Sequence, residues 1–200
     1  MRIDGLRLGA ACLITALAGC RTAPVLPPAA PAPGWEAQRA ALQARTHFEL
    51  KGRVAVAAGG EGFNANLHWT QDGARSFVSL QGPLGVGGAQ VTADGADLSL
   101  VTSRGERLDS QAAHAALAAR LGFDPPLAAP RYWVLGVPDP QSPATEALDA
   151  QTQRLSGLTQ AGWHIDYTAY GAAGTNSLPT RLTLQRDTVR VRLLVDDWQL

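Results

Sequence analysis

Cysteine is nearly absent: the 200 residues hold two, Cys12 and Cys20, both at the very start of the chain. An internal disulfide or a cysteine-ligated metal site in the remainder is excluded. Net charge is absent too, since 17 Lys and Arg balance 17 Asp and Glu, and a neutral chain lacks the basic footprint of a nucleic-acid binder. No apolar run reaches the roughly 20 residues of a bilayer-spanning helix. Catalytic signatures are equally scarce. No serine sits in a GxSxG elbow, and His47, His68, His114 and His164 stand too far apart in sequence for a metal-ligand motif. The one adjacent carboxylate pair, Asp196-Asp197, would point to opposite faces of a strand. The glycine-rich stretch QGPLGVGGAQ (residues 81–90) has neither the lysine and Ser/Thr of a phosphate loop nor a helix after it. These absences point away from an enzyme, a metal and a cofactor.

What is present begins at the amino end. Arg2 and Arg7, an uncharged apolar run over residues 8–18 and small residues ending at Cys20 read as a signal peptide spanning 1–19. Leu17-Ala18-Gly19-Cys20 resembles a bacterial lipobox, which implies cleavage before Cys20 and acylation of that residue as a lipid anchor. Residue 21 is Arg rather than the Asp that favours inner-membrane retention in enteric-type sorting, so the outer membrane is the expected address. Five prolines in residues 21–34 then make a semi-extended tether, able to reach roughly 40 Å at about 3.1 Å per residue.

The remainder, 35–200, reads as one domain. Residues 35–45 suit a short helix. From residue 47 the period becomes two: Phe48, Leu50, Val54 and Val56 share one face, and Phe63, Ala65, Leu67 and Trp69 another run. Strand patterning continues over 75–81, 89–93, 97–102 and 106–108, with Asp-Gly and Arg-Gly turns between, giving an antiparallel meander. Asp109 or Ser110 caps an alanine-rich helix closed by Gly122, and residues 130–136 read as a short apolar helix whose Tyr132, Trp133, Val134 and Leu135 present no polar face and should be buried. After a polar loop, strands return at 154–160, 163–170, 181–186 and 189–198, with a phase break at Asp196 that predicts a bulge. About 10–11 antiparallel strands cannot lie flat, so the fold class is mainly β: a sheet curled into an incomplete barrel with short helices.

The most distinctive content is apolar. Trp35, Trp69, Trp133, Trp163 and Trp198 are spread over helices and strands, and a curled sheet partly filled by short helices could enclose an apolar cavity or a solid core. Leu84 and Val86 stand among glycines in a loop that a turn alone would leave polar. The arginines at 181, 186, 190 and 192 read most simply as a solvated sheet face rather than a partner-binding patch.

Taken in order, the lipobox, Trp35, LKGRVAV, NLHWTQ, the GPLG loop, YWVLGVPDP, GWHIDYTAY and VRLLVDDWQL resemble the LolB family of outer-membrane lipoprotein receptors. The resemblance implies an incomplete antiparallel barrel with helices over a hydrophobic cavity. It implies a protein that accepts acylated lipoproteins from the periplasmic carrier LolA and places them in outer-membrane lipid, with no catalytic step; nothing in the sequence suggests more than a monomer. The family's exposed membrane-insertion leucine corresponds to Leu84, flanked here by Pro83, Gly85 and Val86. Residues expected to line the cavity are Leu50, Val54, Leu67, Trp69, Trp133, Leu135, Trp163, Ile165, Leu182, Leu184, Val191 and Leu193. Two other readings compete with it: an anchored envelope scaffold with a filled barrel, and a lipid hydrolase whose Ser-His-Asp set assembles only in space.

Overall fold

The computed structural model describes residues 34–121 and 125–200. The signal peptide, Cys20 and nearly all of the tether fall on residues 1–33, outside the described residues, and Gly122 is also outside them.

Alternating sequence builds one eleven-stranded antiparallel sheet. β1 (His47–Ala58), β2 (Glu61–Asp72), β3 (Arg75–Gln81), β4 (Gly88–Asp94), β5 (Asp97–Thr102) and β6 (Arg107–Asp109) form a first meander. A second comprises β7 (Ala144–Leu148), β8 (Leu155–Gln160), β9 (Trp163–Ala173), β10 (Asn176–Arg186) and β11 (Val189–Gln199). The two are sewn together where β1 pairs with β11, which leaves β6 and β7 as edges of an open sheet. Helix α1 (Trp35–Gln43) precedes β1, while α2 (Ser110–Leu121) and α3 (Pro130–Val134) lie in the connection from β6 to β7.

The inner face is set by period two. On β1, Phe48, Leu50 and Val54 are buried between exposed His47, Lys51 and Arg53, and β2 repeats the pattern with Ala65, Leu67 and Trp69 inside. A bulge keeps β11 in phase: Lys51 pairs with Asp197 and Gly52 with Val195, so Asp196 is the extra residue, as the phase break predicts. The close approach there demands glycine, because a Cβ on Gly52 would stand 2.1 Å from the Leu194 carbonyl oxygen.

α3 turns Tyr132, Trp133 and Val134 into the interior, with Leu135 and Val137 following, while its half-buried Arg131 donates to the Gly73 carbonyl at 2.6 Å. Polar groups fix it there. The side chain of Gln160, buried at the end of β8, accepts from Trp133 Nε1 (2.8 Å) and the Asp139 amide (2.9 Å). Its amide nitrogen donates to the carbonyls of Asp139 and Ser142, both at 2.8 Å. Tyr167 Oη donates to the Trp133 carbonyl at 3.0 Å and Tyr170 Oη to that of Leu155 at 2.7 Å. Burial pushes both phenols well above their ordinary pKa.

Two elements depart from the sequence reading. β7 occupies a stretch read as polar loop; its Glu146 accepts from Trp35 Nε1 and Arg39 Nη1, each at 2.7 Å, and so docks α1 on the sheet edge. β10 starts at Asn176 rather than 181, because Pro179 is accommodated beside register shifts between Pro179 and Leu182.

Candidate functional site: an apolar cavity and an exposed loop

Beneath the helices the sheet does not fill its own interior. A cavity of about 320 Å³ lies between the inner face and the α2–α3 connection, within the lower range for ligand pockets of roughly 300–1,000 Å³. Its floor comes from both meanders: Val54 and Val56 on β1, Leu67 and Trp69 on β2, Val78 and Leu80 on β3, Val91 on β4, Trp163 on β9, Leu184 on β10, and Val191 and Leu193 on β11. Leu117 of α2, Pro125 to Leu127, and Pro130, Trp133 and Val134 of α3 partly cover it from above. The one hydroxyl in the lining, Ser76, is already committed to Gln71 Oε1 at 2.6 Å. Gln71 also accepts from Trp69 Nε1 at 3.2 Å, so the indole turns its apolar body to the cavity. Such a surface offers contact to hydrocarbon and almost nothing to a polar ligand.

Of the expected lining, Val54, Leu67, Trp69, Trp133, Trp163, Leu184, Val191 and Leu193 reach the cavity. Leu50, Leu135, Ile165 and Leu182 do not; they are buried in the continuous core, where α3 and the residues after it occupy the inner space. Trp35 and Trp198 are not in the lining either. Trp198 instead packs edge-on to Phe48 and donates Nε1 to the Pro179 carbonyl at 3.0 Å. The half-buried residues Val78, Leu80 and Val91 went unnamed in the sequence reading, and Val56 was placed on the inner face but not in the cavity wall; register supplies the first three, since Leu67 faces Leu80, Trp69 faces Val78, and Val78 faces Val91. Among the described residues, no three His, Cys, Asp or Glu side chains are grouped to hold a metal ion.

The second feature is the connection between β3 and β4. It closes on itself: the Gly85 amide donates to the Gly82 carbonyl and the Gly82 amide to the Gly87 carbonyl, both at 3.1 Å. A Cβ on Gly82 would stand 2.0 Å from the Val86 carbonyl oxygen, so only glycine lets the loop fold this tightly. Pro83 holds the first corner, and Leu84 follows at φ 58°, ψ 20°. That is the left-handed region a turn of this kind reserves for glycine or asparagine. Leu84 is nonetheless a leucine and is 100% exposed, with Val86 beside it at 76%. An apolar side chain held fully in water on an unfavourable backbone serves neither packing nor turn formation.

Known proteins share this architecture. A family model described as outer membrane lipoprotein LolB matches residues 46–198. The chain is 33% identical over 185 residues to the outer-membrane lipoprotein LolB of Nitrosococcus oceani, covering 92% of each. It is 31% identical over 194 residues to that of Pseudomonas aeruginosa PAO1, covering 97% of this chain and 94% of the relative. Among solved structures, a LolA superfamily protein from Nitrosomonas europaea aligns with TM-score 0.51 at 12% identity, over 84% of this chain and 94% of that one. A DUF1329 family protein from Desulfovibrio piger aligns with TM-score 0.54 at 8% identity, over 82% and 90%. The solved structures share the fold; the curated relatives share the sequence along nearly the whole length. The chain belongs to the outer membrane lipoprotein LolB family.

Proposed function

We propose that the protein receives acylated lipoproteins at the outer membrane, shelters their acyl chains in the cavity and delivers them to lipid through the Leu84 loop. The observation that carries the reading is the cavity, lined by apolar side chains from both meanders and roofed by α3. A buried methylene gains about 0.8 kcal/mol, so such a pocket can take an acyl chain from a carrier and still yield it to the larger apolar volume of a bilayer. The carrier we assign is LolA, on the family resemblance. The process is transfer, with no covalent step.

Leu84, with Val86, is the part that meets lipid. Burying one leucine side chain gains about 1.5–3 kcal/mol, enough to draw the loop into a membrane surface and too little to fix it there. The envelope-scaffold reading needs a filled interior, and the cavity weighs against it. The test loads carrier with a radiolabelled lipoprotein and measures its passage to the mature chain, exported without its acyl anchor as Cys20→Ala. Uptake of the client, competed by free fatty acid, is expected. A chain that takes no client, or takes it without competition, would overturn the cavity assignment.

A further inference from the structure

The sheet's outer face carries a groove that the transfer scheme leaves unused. Its volume is about 720 Å³, more than twice that of the inner cavity, and its lining includes Arg53, Arg181, Arg192, Leu194, Asn66 and Pro83. Strand register explains the grouping. Leu194 pairs with Arg53 on one side and Arg181 on the other, while Arg192 pairs with Thr183, so the three guanidiniums converge from β1, β10 and β11 on one face. Asp196 neutralises Arg53 at 3.0 Å. Among the described residues neither Arg181 nor Arg192 has a carboxylate within ion-pair distance, and both are exposed.

In a sequence with no net charge, two unneutralised arginines in one apolar-floored trough are a local positive site. Guanidinium groups pair with phosphate in a bidentate fork. Pro83 makes the site continuous with the Leu84 loop, since the residue before the exposed leucine is itself part of the groove wall.

We infer that this groove is a headgroup-binding surface for anionic phospholipid, which holds the outer face against the bilayer while Leu84 enters it. The inference rests on Leu84 as the lipid-contacting tip but not on the cavity. It also assigns a partner to arginines that alternation alone marks as solvated.

The test is binding of the unacylated mature chain (Cys20→Ala) to vesicles of phosphatidylcholine with and without 30% phosphatidylglycerol. Arg181→Gln/Arg192→Gln is expected to weaken binding to the phosphatidylglycerol vesicles by at least about tenfold, to remove most of its salt dependence, and to leave the weak binding to pure phosphatidylcholine unchanged. Arg75→Gln removes an exposed arginine outside the groove and is expected to change binding by less than about twofold. The inference is overturned if the double variant binds phosphatidylglycerol as wild type does, if it loses binding equally to both vesicles, or if Arg75→Gln loses as much. Both arginines are exposed, so an unchanged melting temperature verifies the fold. Client uptake involves no vesicle, and its failure would count against the cavity alone.

Discussion

Trp133 and Leu84 are both large apolar residues on short turns of backbone, and the protein treats them in opposite ways. Trp133 is 1% exposed, its indole N–H is satisfied by Gln160, and its carbonyl is held by Tyr167. Leu84 is wholly exposed, sits at positive φ and belongs to no core cluster. The roof is therefore over-determined by packing and hydrogen bonds, while the loop is determined only by its own glycines and Pro83. A pocket that must stay open needs a roof that cannot collapse into it. The role proposed for Leu84, leaving water for lipid, needs a tip unattached to the core.

The sharpest way to break this contrast is to loosen the roof. Gln160→Leu fills the same space but strands the Trp133 and Asp139 N–H groups and two carbonyls. Buried unmet groups cost about 1–3 kcal/mol each, so with four stranded, chemical denaturation should register a loss of at least about 4 kcal/mol. A loss under about 1 kcal/mol would mean the roof is held by packing alone. Narrowing the cavity is the next largest perturbation: Leu184→Trp projects a bulkier ring into the apolar space. Affinity for a fluorescent fatty acid is expected to fall by roughly tenfold, with stability altered by less than about 1.5 kcal/mol because a void accepts the added volume.

Alkaline pH separates the two regions without mutation. Tyr167 and Tyr170 have phenol pKa values raised by burial, so the neutral phenols stabilise the fold fully below the unfolded pKa of about 10 and that contribution is lost as pH climbs toward the folded values. Melting temperature should drop steeply above about pH 10, and Tyr170→Phe should flatten the drop. The loop has no titrating group and should not contribute. The smallest effect is expected from Leu84→Gly, which relieves left-handed strain and should raise stability by up to about 1 kcal/mol while reducing delivery to membranes. Better folding with worse transfer is the signature of a residue kept for its surroundings rather than for the fold.

Much of the architecture is legible in the sequence because alternation and glycine turns are local signals. β1 to β5 and β8 to β11 announce themselves through residues such as Phe48, Leu50, Val189 and Val191, and even the bulge at Asp196 appears as a broken phase. β7 does not, since a five-residue edge strand with no buried side chain has no alternation to display, and only its pairing with β8 and the hold of Trp35 and Arg39 on Glu146 define it. In the candidate site, period two selects the inner face but cannot tell a core residue from a cavity wall. Leu182 and Leu184 look alike in sequence, yet the first is sealed in the core and the second faces open space. Leu84 is visible as an apolar residue out of place; its left-handed backbone is not. The grouping of Arg181 with Arg192 becomes apparent only through strand register.

The central claim is that cavity and loop perform separate halves of one transfer, and Leu84→Glu tests it most directly. Wild type and variant would be charged with labelled lipoprotein from loaded carrier and then offered outer-membrane vesicles. The account predicts equal charging and equal melting temperature, with delivery from the variant slowed by at least about tenfold, as expected when one leucine's burial of about 1.5–3 kcal/mol is replaced by a charge. Delivery by the variant at the wild-type rate would contradict it.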